Sequence, residues 1–328
     1  MVEFIIAVKS IRNIRNKFVF QKAGIMTHKN RPIGIFDLTS QCLLRCRHCY
    51  YYTDVSQLPS DLNDNIFLKR LKQKKEEYGI RSAFWVGGEP LLRLNLLRRA
   101  MTLFPRNAIA TSGALPIPSD LDAGLLLSID GPKDVHDSLR GEGCFDIAMQ
   151  HIKNLPRGSF ALATTLTSFS VEYIEKLPEL VNSTRALGIL IGFHVGRLGD
   201  PSLLDDDRRH KAVDQLLLIH QNHPGVLLHS RKALELFRPC NSHKVSKKCI
   251  YRDRAVAFDV RFEEKTPCTF ATNAACDACG CPVVIAHAAW RDHDSESEAL
   301  LHVLFPKREV SIATGQFNEV SQTPSASL

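Results

Sequence analysis

Three cysteines fall within eight residues, Cys42, Cys46 and Cys49, inside the stretch FDLTSQCLLRCRHCYYY from Phe36 to Tyr52. This C-x3-C-x2-C array follows a short apolar run that reads as a β-strand, so the thiols sit on the loop leaving that strand. Thiolates are the usual ligands of iron–sulfur clusters, and four of them normally close a cubane. Three can hold three irons and leave the fourth open, and an open position is what catalysis at a metal needs. Two plainer readings stand beside this one: a structural zinc site completed by His48, and three buried thiols.

From residue 33 onward, short apolar runs alternate with longer amphipathic segments, the rhythm of repeated βα units. The expected strands are Ile33–Thr39, Ser82–Gly87, Ala108–Thr111, Gly124–Ser128, Phe160–Thr165 and Leu190–Val195. Helical patterns cover Asn65–Glu77, Phe145–Leu155, Val171–Leu187 and Arg208–Gln221. In the third, Val171, Ile174, Leu177, Leu180 and Val181 recur at helical spacing, with Ser170 placed to cap the N-terminus. In a βα barrel the chemistry sits at the C-terminal ends of the strands. The polar and glycine-rich segments fall there: Gly87-Gly88-Glu89-Pro90, Thr111-Ser112-Gly113, Ser128-Ile129-Asp130-Gly131-Pro132, Thr164-Thr165 and Gly192 to Gly196.

The chain's 328 residues suffice for one large domain and a smaller one. A net charge of +7, spread along the chain, gives no argument for nucleic acid; a weakly basic face suits an acidic electron donor or an acidic peptide. Ten cysteines in tight local groups read as metal ligands and imply a reducing cytoplasm. The FIIAV run near the start is too short to span a membrane and precedes the basic residues, the reverse of a secretory signal. Residues 1–30 are expected to form a strand or helix outside the core, and 305–328 a disordered tail.

The cysteine spacing, with the Thr39 to Cys42 lead-in and the aromatic Tyr50 behind it, resembles the radical SAM superfamily. The resemblance implies an α/β fold, a partial (βα)6 TIM-like barrel over 31–223 with a small cysteine-rich C-terminal domain over 224–304. It implies a [4Fe–4S] cluster on Cys42, Cys46 and Cys49 whose open iron is chelated by S-adenosylmethionine. Reductive cleavage of that cofactor gives a 5′-deoxyadenosyl radical, the electron coming from reduced ferredoxin or flavodoxin.

Further motifs extend the likeness. Gly87, Gly88 and Glu89 look like the family's GGEP turn, which binds the cofactor's amino group. Ser112 stands where the family has a small polar residue facing the nucleoside. The run Ser128 to Gly141, SIDGPxxxHDxLRG, is similar to that of enzymes with an extra cluster domain, among them sulfatase and ribosomal-peptide maturases. It assigns ribose or methionine contacts to Ser128 and Asp130, and a two-pronged pair with the cofactor carboxylate to Arg140. A surface ion pair of Arg140 with Asp137 or Glu142 is the alternative. Val195, on the sixth strand edge, is assigned to the adenine and substrate side. His194 beside it reads first as a core histidine, and Cys144 as a buried thiol.

Beyond Pro224 stand Cys240, Cys249, Cys268, Cys276, Cys279 and Cys281. Between them Val256, Phe258, Val260 and Phe262 alternate with Ala257, Asp259 and Arg261, as in a half-buried strand. A hairpin flanked by thiols resembles the SPASM and twitch extensions, which hold auxiliary [4Fe–4S] clusters, although the spacing departs from the full SPASM pattern. One auxiliary cluster on Cys249, Cys268, Cys276 and Cys279 is expected, with Cys240 and Cys281 in reserve; a structural zinc is the alternative. The substrate implied is a peptide or protein side chain, with a small metabolite as second choice. A non-catalytic iron–sulfur or zinc protein is the reading from another class.

Overall fold

The computed structural model describes residues 30–52, 59–197, 199–271 and 274–304. The expectations for the N-terminal extension and the C-terminal tail lie outside the described residues.

Six parallel strands follow one another in space as in sequence: β1 (Ile33–Thr39), β2 (Ser82–Gly87), β3 (Arg106–Thr111), β4 (Gly124–Ser128), β5 (Phe160–Leu166) and β6 (Ile189–Phe193). This is the α/β, partial barrel architecture that the βα rhythm predicted. Alternation along each strand sorts the side chains onto two faces. Ile35, Val86, Ala110, Leu126, Ala163 and Leu190 line an internal cavity. On the opposite face Phe36 stacks on Trp85 at 5.3 Å and on Phe258 at 5.6 Å between ring centroids, under the surrounding helices. Mainly aliphatic side chains line the cavity, while large aromatic rings pack on the outer face of the sheet.

The helices follow the sequence reading with local differences. Helix α1 (Asp64–Tyr78) is capped by the Asn63 side chain and stopped by Gly79 at φ +67. Helices α2 (Leu94–Met101) and α3 (Lys133–Arg140) are added, and α4 (Cys144–Ile152) stops short of Leu155. The continuous helix expected over Val171–Leu187 is instead a 3-10 turn, Val171–Lys176, followed by α5 (Leu177–Asn182). Pro178 is the reason: it has no N–H to donate back to the preceding turn. Ser170 does not cap that turn; its hydroxyl accepts the Thr167 N–H at 3.0 Å. Strand β6 ends at Phe193, two residues before the expected limit, and His194 N–H turns to the Leu166 carbonyl at 2.8 Å.

After α6 (Asp206–Asn222) and α7 (Arg231–Leu236) comes α8 (Ser242–Lys247), and then the stretch read as a hairpin. Strand β7 (Ala255–Phe258) lies parallel to β1, from Ile33 opposite Ala255 to Phe36 opposite Phe258, so the barrel sheet runs across the expected boundary at 223/224. All four of its residues are buried, as in a strand covered on both faces, whereas the sequence suggested a strand with one wet face. Strand β8 (Glu264–Lys265) completes a short antiparallel hairpin. Helices α9 (Pro282–Trp290) and α10 (Ser295–Leu304) close the assembly, with Ala286, Leu300 and Leu304 packed on Ala108, Leu126, Ala161 and Leu190 inside the barrel. No helix among the described residues is long and apolar enough to cross a membrane.

His229, in the loop before α7 and against the Phe237 ring, is held neutral by burial, which lowers it to about 4 from an ordinary 6.5. The unfolded chain therefore binds this proton first on acidification. The neutral histidine's contribution is intact above pH 6.5 and is lost as pH falls toward 4, by about 3 kcal/mol at about 1.4 kcal/mol per pH unit. His229→Leu should remove this share. Urea midpoints measured from pH 7.5 to 4.5 are expected to fall more steeply for the parent than for the variant; parallel curves would refute the assignment.

Candidate active site

The cysteine loop leaves β1 under several restraints. Ser40 N–H and hydroxyl bond Asp61 at 2.7 and 2.9 Å, Thr39 also donates to Asp61, and Tyr52 OH donates to the Ser40 carbonyl at 2.7 Å. The neighbouring strand end clamps the loop through its backbone: Gly88 N–H reaches Thr39 O and Glu89 N–H reaches Gln41 O, both at 2.8 Å. Gly87 adopts φ +113, and a β-carbon on Gly88 would overlap the Gln41 carbonyl. Both glycines are therefore required by conformation and close approach.

Cys42, Cys46 and Cys49 come together on this loop, near enough that a charge on any one opposes a charge on the others. Burial pushes the Cys46 thiol up to about 11 and raises Cys42. The Leu44 N–H points at Cys42 Sγ, 3.4 Å away. Among the described residues no three His, Cys, Asp or Glu donors converge as a single metal ion requires. A cubane binds each thiolate through a different iron, so its ligands stand further apart than those of one zinc at about 2.3 Å. Three neighbouring thiols, an N–H aimed at sulfur and a glycine turn pressed on the loop fit a [4Fe–4S] cluster with one iron left to another ligand. His48, the fourth zinc ligand in the alternative reading, is turned instead to Asp130, with Nε2 at 3.3 Å.

Glu89 is only 1% exposed and is used up by the protein. One carboxylate oxygen accepts from Leu91 N and Thr111 Oγ1 at 3.1 and 2.9 Å, the other from Ser112 N and Oγ at 2.9 and 2.6 Å. Four donors fill a carboxylate's four acceptor positions. Glu89, expected to bind the cofactor's amino group, has its carboxylate taken up in holding the second strand end to the third. Ser112, expected to face the nucleoside, lends its hydroxyl to Glu89. Asp130 is likewise enclosed: Arg140 Nε at 2.6 Å, Thr165 N at 3.0 Å and His48 surround it. Its contacts among the described residues are to the protein, and Arg140 and His48 hold its carboxyl well below the usual range despite burial. Arg140 pairs with neither Asp137 nor Glu142; it is largely enclosed, its side chain 10% exposed, and its Nη1 lies 3.9 Å from Cys46 Sγ.

Gly87, Gly88, Ser112, Ser128, Arg140 and Val195 all border one cavity of about 300 Å³ together with the three cysteines. His194 borders it too, with Nε2 2.8 Å from Asp200 Oδ2 and its own proton affinity lowered by burial. A β-carbon at Gly196 would crowd both of these groups.

The family model of the radical SAM superfamily matches residues 37–183, which contain every one of these features except His194, Val195, Gly196 and Asp200. Residues 37–183, a little under half of the chain, are thus similar to the radical SAM superfamily. A pre-heme d1 synthase from Dinoroseobacter shibae is 28% identical over 165 residues, covering 46% of this chain and 40% of that protein. The chain thus spans less than half the length of the curated relatives it matches. Streptococcus suis SuiB bound to S-adenosylmethionine gives a TM-score of 0.55 at 15% identity, over 71% of this chain and 59% of that one. The protein anSMEcpe with bound AdoMet and a Cp18Cys peptide gives 0.54 at 16% identity, over 83% and 84%. These likenesses are of fold.

A second group of thiols adjoins the barrel. Cys249, Cys268, Cys276 and Cys279 are close enough that every pair interacts electrostatically, and burial raises Cys268 to about 12 and Cys279 to about 11. Cys249, Cys268 and Cys279 each accept the backbone N–H two residues on, as Cys42 does. Cys281 is buried and borders the cavity, while Cys240 is exposed. Arg209, missed by sequence reasoning, fixes this segment: its guanidinium donates to Phe237 O, Ala278 O and Cys279 O, each at 2.7 Å. The core meets the second group at Tyr50, which is half-buried and edge-on to Phe270 at 5.0 Å.

Glu89→Gln should cost about 1–3 kcal/mol, since an amide NH2 in place of either oxygen must face two of the four donors now accepted. Chemical denaturation reads the loss. S-adenosylmethionine affinity of the iron-loaded variant should fall with it, because the Thr111 to Gly113 turn borders the cavity. Unchanged stability would mean that Glu89 is not the link described.

Proposed function

We propose that this chain is a radical SAM enzyme of the reducing cytoplasm that modifies a peptide or protein side chain and carries one auxiliary [4Fe–4S] cluster on Cys249, Cys268, Cys276 and Cys279. The observation that carries the auxiliary site is the repeated N–H to sulfur bond. Such a bond stabilises a thiolate and is of little use to a neutral thiol. When bound, the first cluster supplies the electron that cleaves S-adenosylmethionine into methionine and a hydrogen-abstracting radical. The chain's own residues bind and orient. Backbone carbonyls of the Gly87 to Glu89 turn would accept from the cofactor's amino group, the remaining Arg140 nitrogen, Nη2, would serve its carboxylate, and Ser128 and Val195 would border its remaining length. Tyr50, Phe270 and Tyr251 wall the cavity against water on the side of the second cysteine group. Reduced ferredoxin or flavodoxin is the proposed electron source, in keeping with a mildly basic chain. Ten free cysteines support the compartment.

The peptide assignment is supported by the SIDGPxxxHDxLRG run joined to a cysteine-rich extension, and by the fold shared with a protein that has a peptide bound. A small-metabolite substrate is the second reading, favoured by the sequence likeness to a pre-heme d1 synthase.

Anaerobically reconstituted protein should hold about eight irons per chain, and the triple Cys42, Cys46 and Cys49→Ala variant about four. Zinc without iron in that triple variant would replace the auxiliary cluster with a structural metal. Cys46→Ala should make no 5′-deoxyadenosine; cleavage at the parent rate would refute the central assignment. With cofactor and reductant present, a peptide fraction of host extract should raise deoxyadenosine formation and yield a peptide lighter by two hydrogens. Stimulation by the metabolite fraction alone would favour the second reading.

A further inference from the structure

We propose that Asp130 is a positioning residue for the first cluster: it holds the Arg140 guanidinium against the Cys46 sulfur and thereby sets the cluster's reduction potential. The inference rests on the cluster site proposed above and concerns this chain's own residues around it.

Asp130 stands two residues past the end of β4 and is 1% exposed. Its backbone is pinned by donation of its N–H to His136 Nδ1 at 3.2 Å. Its side chain gathers three elements that the sequence keeps apart. Oδ1 accepts the Thr165 N–H of β5 at 3.0 Å. Oδ2 takes Arg140 Nε at the end of α3 at 2.6 Å, and His48 Nε2 from the cysteine loop at 3.3 Å. The Arg47 N–H donates to Leu139 O at 2.7 Å, so the loop and the end of α3 are joined by backbone as well.

With Nε spent on Asp130, the guanidinium plane has one remaining direction, and Nη1 stands 3.9 Å from Cys46 Sγ. A cation beside a cluster sulfur favours the reduced, more negative cluster, and hydrogen bonds to sulfur and net charge are levers that set cluster potentials. Arg140 is therefore placed to ease reduction of the cluster. Asp130 carries the opposite charge but acts mainly through geometry, because it decides where that cation sits.

The two roles predict opposite signs. If Asp130 acted only through its charge, Asp130→Asn would make the cluster easier to reduce and move the potential to less negative values. If it positions Arg140, the isosteric Asn keeps the Thr165 bond but releases the guanidinium, and the potential moves to more negative values. Arg140→Gln should shift it in the same direction, and the double variant should match Arg140→Gln alone.

The measurement is an anaerobic redox titration of the reconstituted full chain by EPR, following the signal that changes when S-adenosylmethionine is added. A less negative potential in Asp130→Asn overturns the proposal. So does an unchanged potential in Arg140→Gln, which decides the matter if the Asn variant fails to load iron. Parent protein that takes up no iron on Cys42, Cys46 and Cys49 overturns the cluster site and this inference together, a result distinct from either shift.

Discussion

The backbone clamp between the first two strand ends fixes everything placed above the barrel. β1 and β2 run side by side in the same direction, so the loop leaving one and the turn leaving the other emerge together. Two hydrogen bonds, Gly88 N–H to Thr39 O and Glu89 N–H to Gln41 O, lock them at backbone distance. Gly88 can have no side chain there without displacing the Gln41 carbonyl. The path into Cys42 is thus set by main-chain atoms. Arg45 and Leu43 on the outside of the loop remain exposed, with the Arg45 guanidinium resting over the Tyr52 ring at 4.3 Å.

Above the clamp, buried charge does the positioning. Glu89, Asp130 and Arg209 are nearly inaccessible, and each meets its donors or acceptors from several separate elements. Removing one partner of such a buried charged group typically costs 3–5 kcal/mol, because the other is left uncompensated. Arg209 shows what this achieves between the two cysteine groups. Its three bonds to Phe237 O, Ala278 O and Cys279 O fasten the extension to a core helix, while Gly280 O accepts the Phe193 N–H at 3.0 Å. The extension is built on the barrel's open edge, with β7 on one side and the Cys279 to Cys281 segment on the other. Lys265 of β8 reaches back to Asp37 of β1 at 2.9 Å, and its ammonium lies over both Tyr50 and Tyr51.

How much of this could be read from the sequence follows from how local each cause is. The βα rhythm, the strand ends, the three-cysteine loop and the Gly-Gly turn are short-range patterns, and β1, β2 and β4 occupy the predicted residues. Ser112 and Arg140 do border the cavity, as their motifs suggested. Their partners were not legible. Nothing in a run of residues says that Glu89 will spend its oxygens on Thr111 and Ser112, or that His48 will turn away from metal to Asp130. These pairings span 22 to 82 positions and exist only once the strands are in register. Arg209 looked like one more charge on an amphipathic helix, and Val256 to Phe262 like a half-buried hairpin strand, because burial of Ala255 to Phe258 on the second face comes from β1. Pro178 was visible, but the helical spacing around it outweighed its missing N–H.

The two thiol groups share a local geometry that a collection of buried cysteines would not need. A neutral thiol packs as a small apolar group and asks for no donor. Yet Cys42, Cys249, Cys268 and Cys279 each receive the N–H of the residue two positions later, in segments of unrelated sequence. Around them burial and mutual repulsion raise the thiols of Cys42, Cys46, Cys249, Cys268 and Cys279, so without a cation the arrangement penalises the very form that the N–H groups favour. A bound metal centre removes the contradiction, since coordination deprotonates the thiol outright and its positive charge outweighs the repulsion. Turns of this shape would suit sulfur in its ligating state. Tyr50, directly after Cys49 and electrostatically linked to Cys281, sets the two groups on the same cavity wall. A centre in the second group would then stand beside the cavity, where an electron can be exchanged with whatever is bound there.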